Sequence, residues 1–585
     1  MPGVPSVALT IVSVFLLILS LAIGSELELT DIGLAPGLDP MYFVGLALLP
    51  AASYLEWRRG PHAAAWLIVV QLVLFIAVVW ITPTLLEVTP RFRTSYVNYG
   101  YVDPLVRGDG LLPSQQIYHN WPLFPVLMAG IVAVGVDPLV LLTWFPIVAM
   151  LLYLVPLAAI VWLMWSAQLA AEQAMEPEPQ PELEADPRWP GEGTAQPDPA
   201  RPVPPYWILA LWVFPIFDWT GQDYFSPQAF AYLLFLTWVV VIADVGLRKD
   251  GRFTRTTLLL TLGIYTVIVM THVLTALLSL GILFALVLTR VIRPWLVFIT
   301  CVLIFLVWQV YFAAPFFEFY RTQLLQTILD LPHFLEANLS DRVRGSDGHS
   351  FIVQLRIIVT IVAFGLGAVA ALTIGRRSWS RPIRFVVAYV LGVALIAPIT
   401  VYGGEMLIRS LLFVLPMIAA VVAMSMRRRS FAIVLAVTLV LMAPIHILTH
   451  YGNELYDYVS ADEIAGFDYI AAHAPANVYG GAPAGQFENT ARLDYRNSTV
   501  PRAGGPSGLA GYARPEDHAW ADADLPIYVV VSRGDDAAML LFQNEVGFKE
   551  QVEALASADP QYVPVFSNAD VSIWLWTPEA PATEP

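Results

Sequence analysis

The side chains best suited to chemistry lie in a polar stretch, residues 87–120, that follows a long apolar run. It carries two carboxylates, Asp103 and Asp109, among arginines and aromatic residues. A general base that activates a hydroxyl must be a carboxylate or a histidine within hydrogen-bonding distance of it. We predict Asp103 as this base and Asp109 as the second candidate. Pro104 and Gly110 follow them, so the alternative for both is a role in a turn.

A second polar stretch, residues 217–228, carries Asp218 and Asp223. Two carboxylates five residues apart at the mouth of a membrane span can hold a hard divalent cation such as Mg²⁺ or Mn²⁺, with water and phosphate completing its shell. We therefore predict a possible metal site here. The pair Ser226-Pro227 fits a helix N-cap followed by proline, and a capping serine leaves both aspartates available for a ligand.

Six further polar side chains are candidates for binding a donor phosphate: Arg91, Arg93, His119, His272, Glu405 and Arg409. His272 interrupts an apolar stretch of about 34 residues, so it either donates to a phosphate or satisfies a tight turn. Glu405 and Arg409 are four positions apart and share one helix face. They form a structural ion pair, or they present to a diphosphate the planar guanidinium that suits it.

The elements that must position these side chains are membrane spans. Hydrophobic residues make up 57% of the 585 residues and charged residues 13%, against about 25% charged in soluble domains. Arg/Lys clusters mark cytoplasmic ends of spans, and taking them as inside gives about thirteen spans. These predicted spans are residues 5–24, 40–57, 63–86, 139–165, 205–217, 227–246, 257–271, 273–290, 295–314, 351–375, 384–402, 407–426 and 430–448. The N-terminus is then cytoplasmic, and the C-terminal tail and all the candidate residues lie outside.

Two segments test this assignment. The apolar run Trp121–Val136 is only 16 residues long and lies between two prolines. A span needs about 20 residues, so we predict an interfacial or re-entrant helix on the outer face. Residues 169–204 are rich in proline and acidic side chains, and we interpret them as a disordered cytoplasmic linker.

The predicted domains are an N-terminal hairpin of spans (1–60), a transmembrane domain (61–450) and an extracellular soluble domain (451–585). From His446 onward the chain has 20 Asp/Glu against 6 Lys/Arg, which argues against nucleic acid as a partner. Within this tail, Ser460-Ala-Asp-Glu463 is a capping box that opens a helix. The runs Ile527–Ser532 and Val571–Trp576 are strand patterns, so a small mixed α/β fold is expected.

This order of elements resembles the membrane glycosyltransferases of the GT-C class. The resemblance covers about residues 60–450 and the position of the tail. It implies a sugar donor linked to a polyprenyl phosphate or diphosphate, transfer at the outer face of the cell membrane, and a glycan, lipid or protein acceptor. It also implies a catalytic acid in the first outer loop, here Asp103, with Asp218, Asp223 and Glu405 in later ones. The tail lacks the Trp-Trp-Asp-Tyr-Gly signature of oligosaccharyltransferases, so the class is carried over and no subfamily is.

The alternative function is non-catalytic, either a transporter of lipid-linked glycans or a scaffold whose outer domain binds a partner. The chain has no Walker loop, Rossmann fingerprint or nucleophile elbow. It also lacks the paired, broken spans of an inverted-repeat transporter. The candidate residues gather on one side of the membrane, which favours an enzyme.

Overall fold

A computed structural model describes residues 1–24, 26–113, 117–174, 206–316, 344–374, 379–397, 406–473, 479–481 and 527–576. The helices of the membrane part are α1 (Val4–Ile23), α2 (Pro40–Trp57), α3 (Ala65–Leu86), α4 (Arg93–Gly100), α5 (Asp103–Arg107), α6 (Leu123–Ala133), α7 (Pro138–Gln173), α8 (Val213–Phe217), α9 (Pro227–Leu247), α10 (Arg255–Val269), α11 (Val273–Leu288), α12 (Trp295–Val307), α13 (Asp347–Ile374), α14 (Arg381–Ile396), α15 (Met406–Ser425) and α16 (Arg429–His450). A 3₁₀ segment, Tyr206–Trp212, precedes α8, and a π-helical turn, Trp308–Phe312, extends α12.

Seven of the described helices are long and apolar enough to cross a membrane: α1, α3, α7, α9, α12 with its π-helical turn, α13 and α16. Five shorter apolar helical segments accompany them. The prediction of a many-spanning helical membrane protein is therefore confirmed, while the count of thirteen crossings stays a prediction.

Capping residues fix where several spans begin. Asp39 accepts from the backbone N–H of Met41 at the start of α2, and Asp137 accepts from Leu139 N–H at the start of α7. Both caps are followed by proline, whose missing N–H costs nothing at the first helical position. Thr254 opens α10 in a capping box with Thr257.

Two apolar segments are too short or too irregular to be ordinary membrane spans. Helix α6 has 11 residues, about 16 Å at 1.5 Å per residue, too short to cross a core of about 30 Å. This length fits the interfacial prediction. The predicted span 205–217 is wrong as a regular span, because it is a 3₁₀ segment followed by the five residues of α8. Nearly every side chain there is buried by neighbouring helices, which lets an irregular segment lie at membrane depth.

The loops gather at the two ends of the bundle as the sequence predicts. At one end, Asn98 Nδ2 donates to Phe225 O and the N–H of Leu123 donates to Met270 O. We call this the outer end, since its side of the membrane is a prediction from the positive charges. At the other end Arg381 donates to the carbonyls of Gly246, Lys249 and Val291.

The N-terminal hairpin is joined to the bundle by a buried polar seam. Gln71 of α3 donates to Thr10 Oγ1 of α1 at 2.8 Å and accepts from Ser53 Oγ of α2 at 2.7 Å. Ser6 Oγ donates to Ala52 O at 2.9 Å. Interhelical hydrogen bonds of this kind hold helices together in lipid, where hydrophobic burial cannot.

The tail folds as a small α/β domain, which we call the outer domain. It contains α17 (Glu454–Asp457), α18 (Ala461–His473), β1 (Tyr479–Gly481), β2 (Ile527–Ser532), α19 (Arg533–Gln543), α20 (Phe548–Ala558), β3 (Tyr562–Ser567) and β4 (Val571–Trp576). The strand order is β1-β2-β4-β3, with β1 parallel to β2 and the other pairs antiparallel. Both predicted strands and the Ser460–Glu463 capping box are confirmed.

Candidate active site

The two carboxylates of the second outer loop are buried at the outer end. Asp223 accepts a short hydrogen bond from the indole N–H of Trp80 on α3, and Asp218 Oδ1 accepts from Thr220 Oγ1 at 2.6 Å. Burial raises the pKa of Asp218 to about 7 and also raises the pKa of Asp223. Ser226 caps α9 by accepting from the N–H of Ala229, as predicted. Neither aspartate is therefore used as a cap.

Two histidines of the last membrane helix complete this group. His446 and His450 lie one turn apart on α16 and stack with ring centroids 5.0 Å apart. Their Nδ1 atoms face the carbonyls of Ile216 and Asp218 at 3.1 and 3.2 Å. A carbonyl only accepts, so each Nδ1 carries the proton, which leaves Nε2 as the acceptor atom. His450 Nε2 lies 3.7 Å from Asp223 Oδ2.

This histidine pair was missed at the level of sequence. Its His-x-x-x-His spacing, His446 to His450, places both rings on one helix face and is a recognisable signal. Trp80 gives no such signal, because an indole in an apolar run is typical of any span. The packing of α3 and α16 against the second outer loop brings these residues to Asp223.

The fit of a metal to these carboxylates is poor. In the described part of the chain, no group of three or more His, Cys, Asp or Glu side chains is arranged to hold a metal ion. One oxygen of Asp223 already accepts a hydrogen bond from an indole N–H. That N–H lies where a cation would need to approach the oxygen, and it has no lone pair to offer a metal. The divalent cation stays a prediction, and no step below is built on it.

Arg91 and Arg93 have carboxylate partners instead of the predicted phosphate. Arg91 donates to both oxygens of Glu454 at 2.9 and 2.6 Å, and Arg93 Nη2 donates to Glu463 Oε1 at 2.6 Å. Both ion pairs are buried. These two arginines hold the first outer loop against the outer domain, and the binding of a donor phosphate by either stays a prediction. Their partners are some 370 positions away, where a loop sequence gives no hint of them.

Further carboxylates surround Arg91 and were also missed. Glu87, the residue after α3, is buried, and burial raises its pKa well above the usual value, with the charge of Glu454 adding to the shift. Burial likewise raises the pKa of Asp457 to about 7. Arg91 lies 4.0 Å from Asp457. One guanidinium thus faces several carboxyl groups, and the raised pKa values keep part of them protonated near neutral pH.

Asp103 and Asp109 lie further along the first outer loop. Asp103 is the first residue of α5, and its Oδ2 lies 3.0 Å from Arg107 Nε in an ion pair. Arg107 also lies 3.4 Å from Asp109, whose side chain is 47% exposed. The side chain of Asp103 is 18% exposed, with its Oδ2 buried against the protein, while Asp218 and Asp223 are fully buried.

The two candidate histidines outside the last helix have structural partners. His119 Nδ1 accepts from the N–H of Leu112 and its Nε2 faces the carbonyl of Tyr101, both at 2.8 Å. Burial lowers the pKa of His119, so a neutral ring holds the loop. His272 caps α11 by accepting from the N–H of Thr275. This arrangement supports the tight-turn alternative for His272.

Arg409 lies beside the second outer loop. Its Nη1 donates to Gln228 Oε1 at 2.7 Å, one residue after the Pro227 that begins α9. Its positive charge acts on the nearby ring of His272. Glu405, its predicted helix partner, lies outside the described residues, and the Glu–Arg pairing stays a prediction.

The chain was compared with known families, curated proteins and solved structures. No protein-family model matches the chain, and no curated protein matches it. It is similar to a solved structure described as "Crystal Structure of ArnT from Cupriavidus metallidurans bound to Undecaprenyl phosphate", with 13% identity over 87% of this chain and 97% of that one. The TM-score is 0.37. At this level of similarity, function has to be argued from the chain's own residues.

Proposed function

We propose that this protein is a membrane glycosyltransferase that transfers a sugar from a polyprenyl-(di)phosphate-linked donor to an acceptor at the outer membrane face. Such a reaction needs a base for the acceptor hydroxyl, a cation for the leaving phosphate, and a bilayer to hold the lipid tail. The outer end supplies Asp103 as the base and Arg409 as the cation, on a bundle of apolar helices.

The contact between the two outer loops is the observation that supports the proposal most directly. Asn98 Nδ2 donates to Phe225 O at 3.0 Å, and Phe92 stacks on Tyr224 with centroids 4.0 Å apart. Asp103 follows Asn98 by five residues and Gln228, which orients Arg409, follows Phe225 by three. Asp103 therefore lies on a loop that contacts the second outer loop, and Arg409 of α15 is held beside that second loop by Gln228, although the two residues are about 300 positions apart in sequence.

Each group suits its part by charge and geometry. Asp103 is a carboxylate paired with Arg107, and its side chain is 18% exposed at the outer end, where an acceptor hydroxyl would approach its outer oxygen. Arg409 offers a planar fork of N–H donors that matches phosphate oxygens. In the proposed step Asp103 takes the hydroxyl proton, the acceptor oxygen bonds to the sugar C1, and the C1–O bond to the phosphate breaks.

The distribution of buried charge favours an enzyme over a transporter. Among the described residues of the membrane part, the buried aspartates and glutamates lie toward the two ends of the bundle, with Glu56 at one end and the group around Asp218, Asp223 and Glu87 at the other. A transporter of charged lipid-linked glycans would need a polar path between these ends. The scaffold alternative remains for the outer domain, which also clamps the first loop.

The test is a transfer assay with purified, detergent-solubilised protein. A polyprenyl phosphate carrying a radiolabelled hexose is incubated with lipid, glycan and peptide acceptors, with and without Mg²⁺ or Mn²⁺. The expected result is that radiolabel appears in an acceptor only when the protein is present. Asp223→Asn is run alongside: a loss confined to the Mg²⁺ or Mn²⁺ samples would support the predicted cation. Donor binding without transfer to any acceptor would favour the transporter or scaffold.

A further inference from the structure

The outer end of α12 carries a buried amide that has no hydrogen-bond partner among the described residues. Gln309 lies in the π-helical turn Trp308–Phe312 and is 4% exposed. Within the described part of the chain, neither its amide nitrogen nor its amide oxygen has a hydrogen-bond partner. An unpaired buried amide in a membrane protein is costly, and π-helical turns are frequent at functional sites. Both hydrogen-bonding atoms of the Gln309 amide are therefore available for a group outside the described part of the chain.

A second partnerless donor lies on the segment that contacts this turn. Trp308 Nε1 donates to the carbonyl of Asn120 at 3.1 Å, which joins the turn to the segment before α6. The next residue, Trp121, is 1% exposed, and its indole N–H has no partner among the described residues. Two buried, unsatisfied polar side chains thus lie on two segments in direct contact.

The chemistry of these groups points to a hydroxyl-bearing ligand. The Gln309 amide needs both an acceptor and a donor, and the Trp121 indole needs an acceptor. A hydroxyl is the simple neutral group that both accepts and donates. Aromatic pairs lie on the same two segments: Trp121 packs against Phe316 with centroids 5.0 Å apart, and Trp308 stacks on Phe312 at 4.6 Å. Apolar walls with a few polar groups are typical of small-molecule sites.

We propose that Gln309 and Trp121 form a subsite that binds the hydroxyls of the donor's sugar. The proposal rests on the proposed function, because it takes the ligand to be a lipid-linked sugar. The subsite adjoins Tyr118, whose ring lies 6.4 Å from that of Trp121 and 6.4 Å from that of His272. Since His272 lies near Arg409, the sugar would bind on the same side of the outer end as the predicted phosphate-binding guanidinium.

The test compares the binding of undecaprenyl phosphate with that of its mannosyl and glucosyl derivatives. Gln309→Leu keeps the size of the side chain and removes its polar atoms. The substitution is expected to weaken binding of the sugar-carrying lipids by about 5- to 100-fold, which corresponds to the loss of one to two hydrogen bonds. Binding of the sugar-free carrier should not change. Trp121→Phe should weaken binding of the same sugar-carrying lipids by about 2- to 10-fold. Equal affinities of wild type and Gln309→Leu for all three lipids would overturn the subsite.

A matched control separates recognition from folding. Gln71→Leu makes the same change at a membrane glutamine whose amide has partners in α1 and α2, so it should lower the melting temperature. Gln309→Leu should leave the melting temperature of the ligand-free protein unchanged or raise it, because no bond is lost. A fall as large as that of Gln71→Leu would contradict the proposal. The binding comparison does not depend on turnover, so it tests the subsite separately from the reaction. Absence of transfer by the wild type would count against the proposed function and not against the subsite.

Discussion

Arg91 donates to both carboxylate oxygens of Glu454 across 363 positions of the chain, with nitrogen–oxygen distances of 2.9 and 2.6 Å. The contact is buried and joins the first outer loop to the segment that leads into the outer domain. Phe92, the next residue, has φ of 76° and donates its N–H to Asp457 O at 3.0 Å. A positive φ is unfavourable for an aromatic residue, so these contacts hold the loop in a strained conformation over the second outer loop.

The first prediction concerns the buried ion pair between Arg91 and Glu454. Arg91→Met leaves the carboxylate of Glu454 buried without its partner, so the free energy of unfolding should fall by about 3–5 kcal/mol. The control is Arg248→Met, which breaks an exposed pair with Asp244 and should cost about 1 kcal/mol or less. Denaturation of both variants in detergent gives the comparison. Equal losses would mean that the buried pair contributes no more than a surface ion pair.

The second prediction concerns pH. Burial raises the pKa of Asp218 to about 7 from its ordinary value of 3.8, so between these pH values the folded protein binds a proton that the unfolded chain releases. Stability should therefore fall as pH rises from about 4 to about 7, by at most roughly 4 kcal/mol for this group. Asp218→Asn should flatten the profile and be more stable than wild type at pH 8.

The control for this profile is Asp244→Asn, at a carboxylate that is 43% exposed. Its stability should follow the wild-type profile over the same range. If the profile of Asp218→Asn also follows the wild type, Asp218 does not hold its proton in the folded protein.

The third prediction concerns the side of the membrane on which each end lies. Val546 of the outer domain is 75% exposed, and Val546→Cys should react with an impermeant thiol reagent applied to intact cells. Asp250→Cys, in a basic loop, should react only after permeabilisation. Gly251 is unsuitable, because a Cβ there would lie 2.4 Å from Val291 O. The native Cys301 is buried and serves as the background. Labelling of Asp250→Cys from outside would reverse the topology and the interfacial assignment of α6.

The fourth prediction concerns the guanidinium of Arg409. Arg409→Lys keeps the charge and loses the planar fork, so the Kd for undecaprenyl phosphate should rise about 10-fold, in line with a charge-assisted hydrogen bond of about 1.5–3 kcal/mol partly replaced by lysine. Arg107→Lys is the matched change on the first outer loop and should leave the Kd unaltered. A larger effect of Arg107→Lys would place the phosphate on the first loop.

Local signals in the sequence predicted much of the fold. The first two predicted helices are observed as α1 and α2, and Ser226 and Ser460 cap the helices that they were expected to cap. These features were predictable because caps and apolar periodicity depend on neighbours in the chain. The segment 205–217 misled the prediction because an apolar composition does not distinguish a regular span from a short 3₁₀ segment enclosed by other helices.

The candidate site depends on contacts that sequence does not encode locally. Asp218 and Asp223 were found because carboxylates at a span mouth are unusual, but Trp80 reaches Asp223 from 143 positions away. His446 and His450 carried a readable spacing and were overlooked. Arg91 was recognised as a candidate from its charge, but its contact with Glu454 could not be predicted, because that contact depends on tertiary packing across 363 positions.

The most direct test of the proposed reaction is the transfer rate of Asp103→Asn under saturating donor. The substitution keeps the shape of the side chain and removes its ability to accept a proton, so the rate should fall by about 10²–10⁴-fold. Binding of undecaprenyl phosphate should change little, because the guanidinium of Arg409 and not Asp103 is assigned to it. A rate within about 3-fold of wild type, where removal of a general base costs at least 10²-fold, would contradict the assignment of Asp103 as the base.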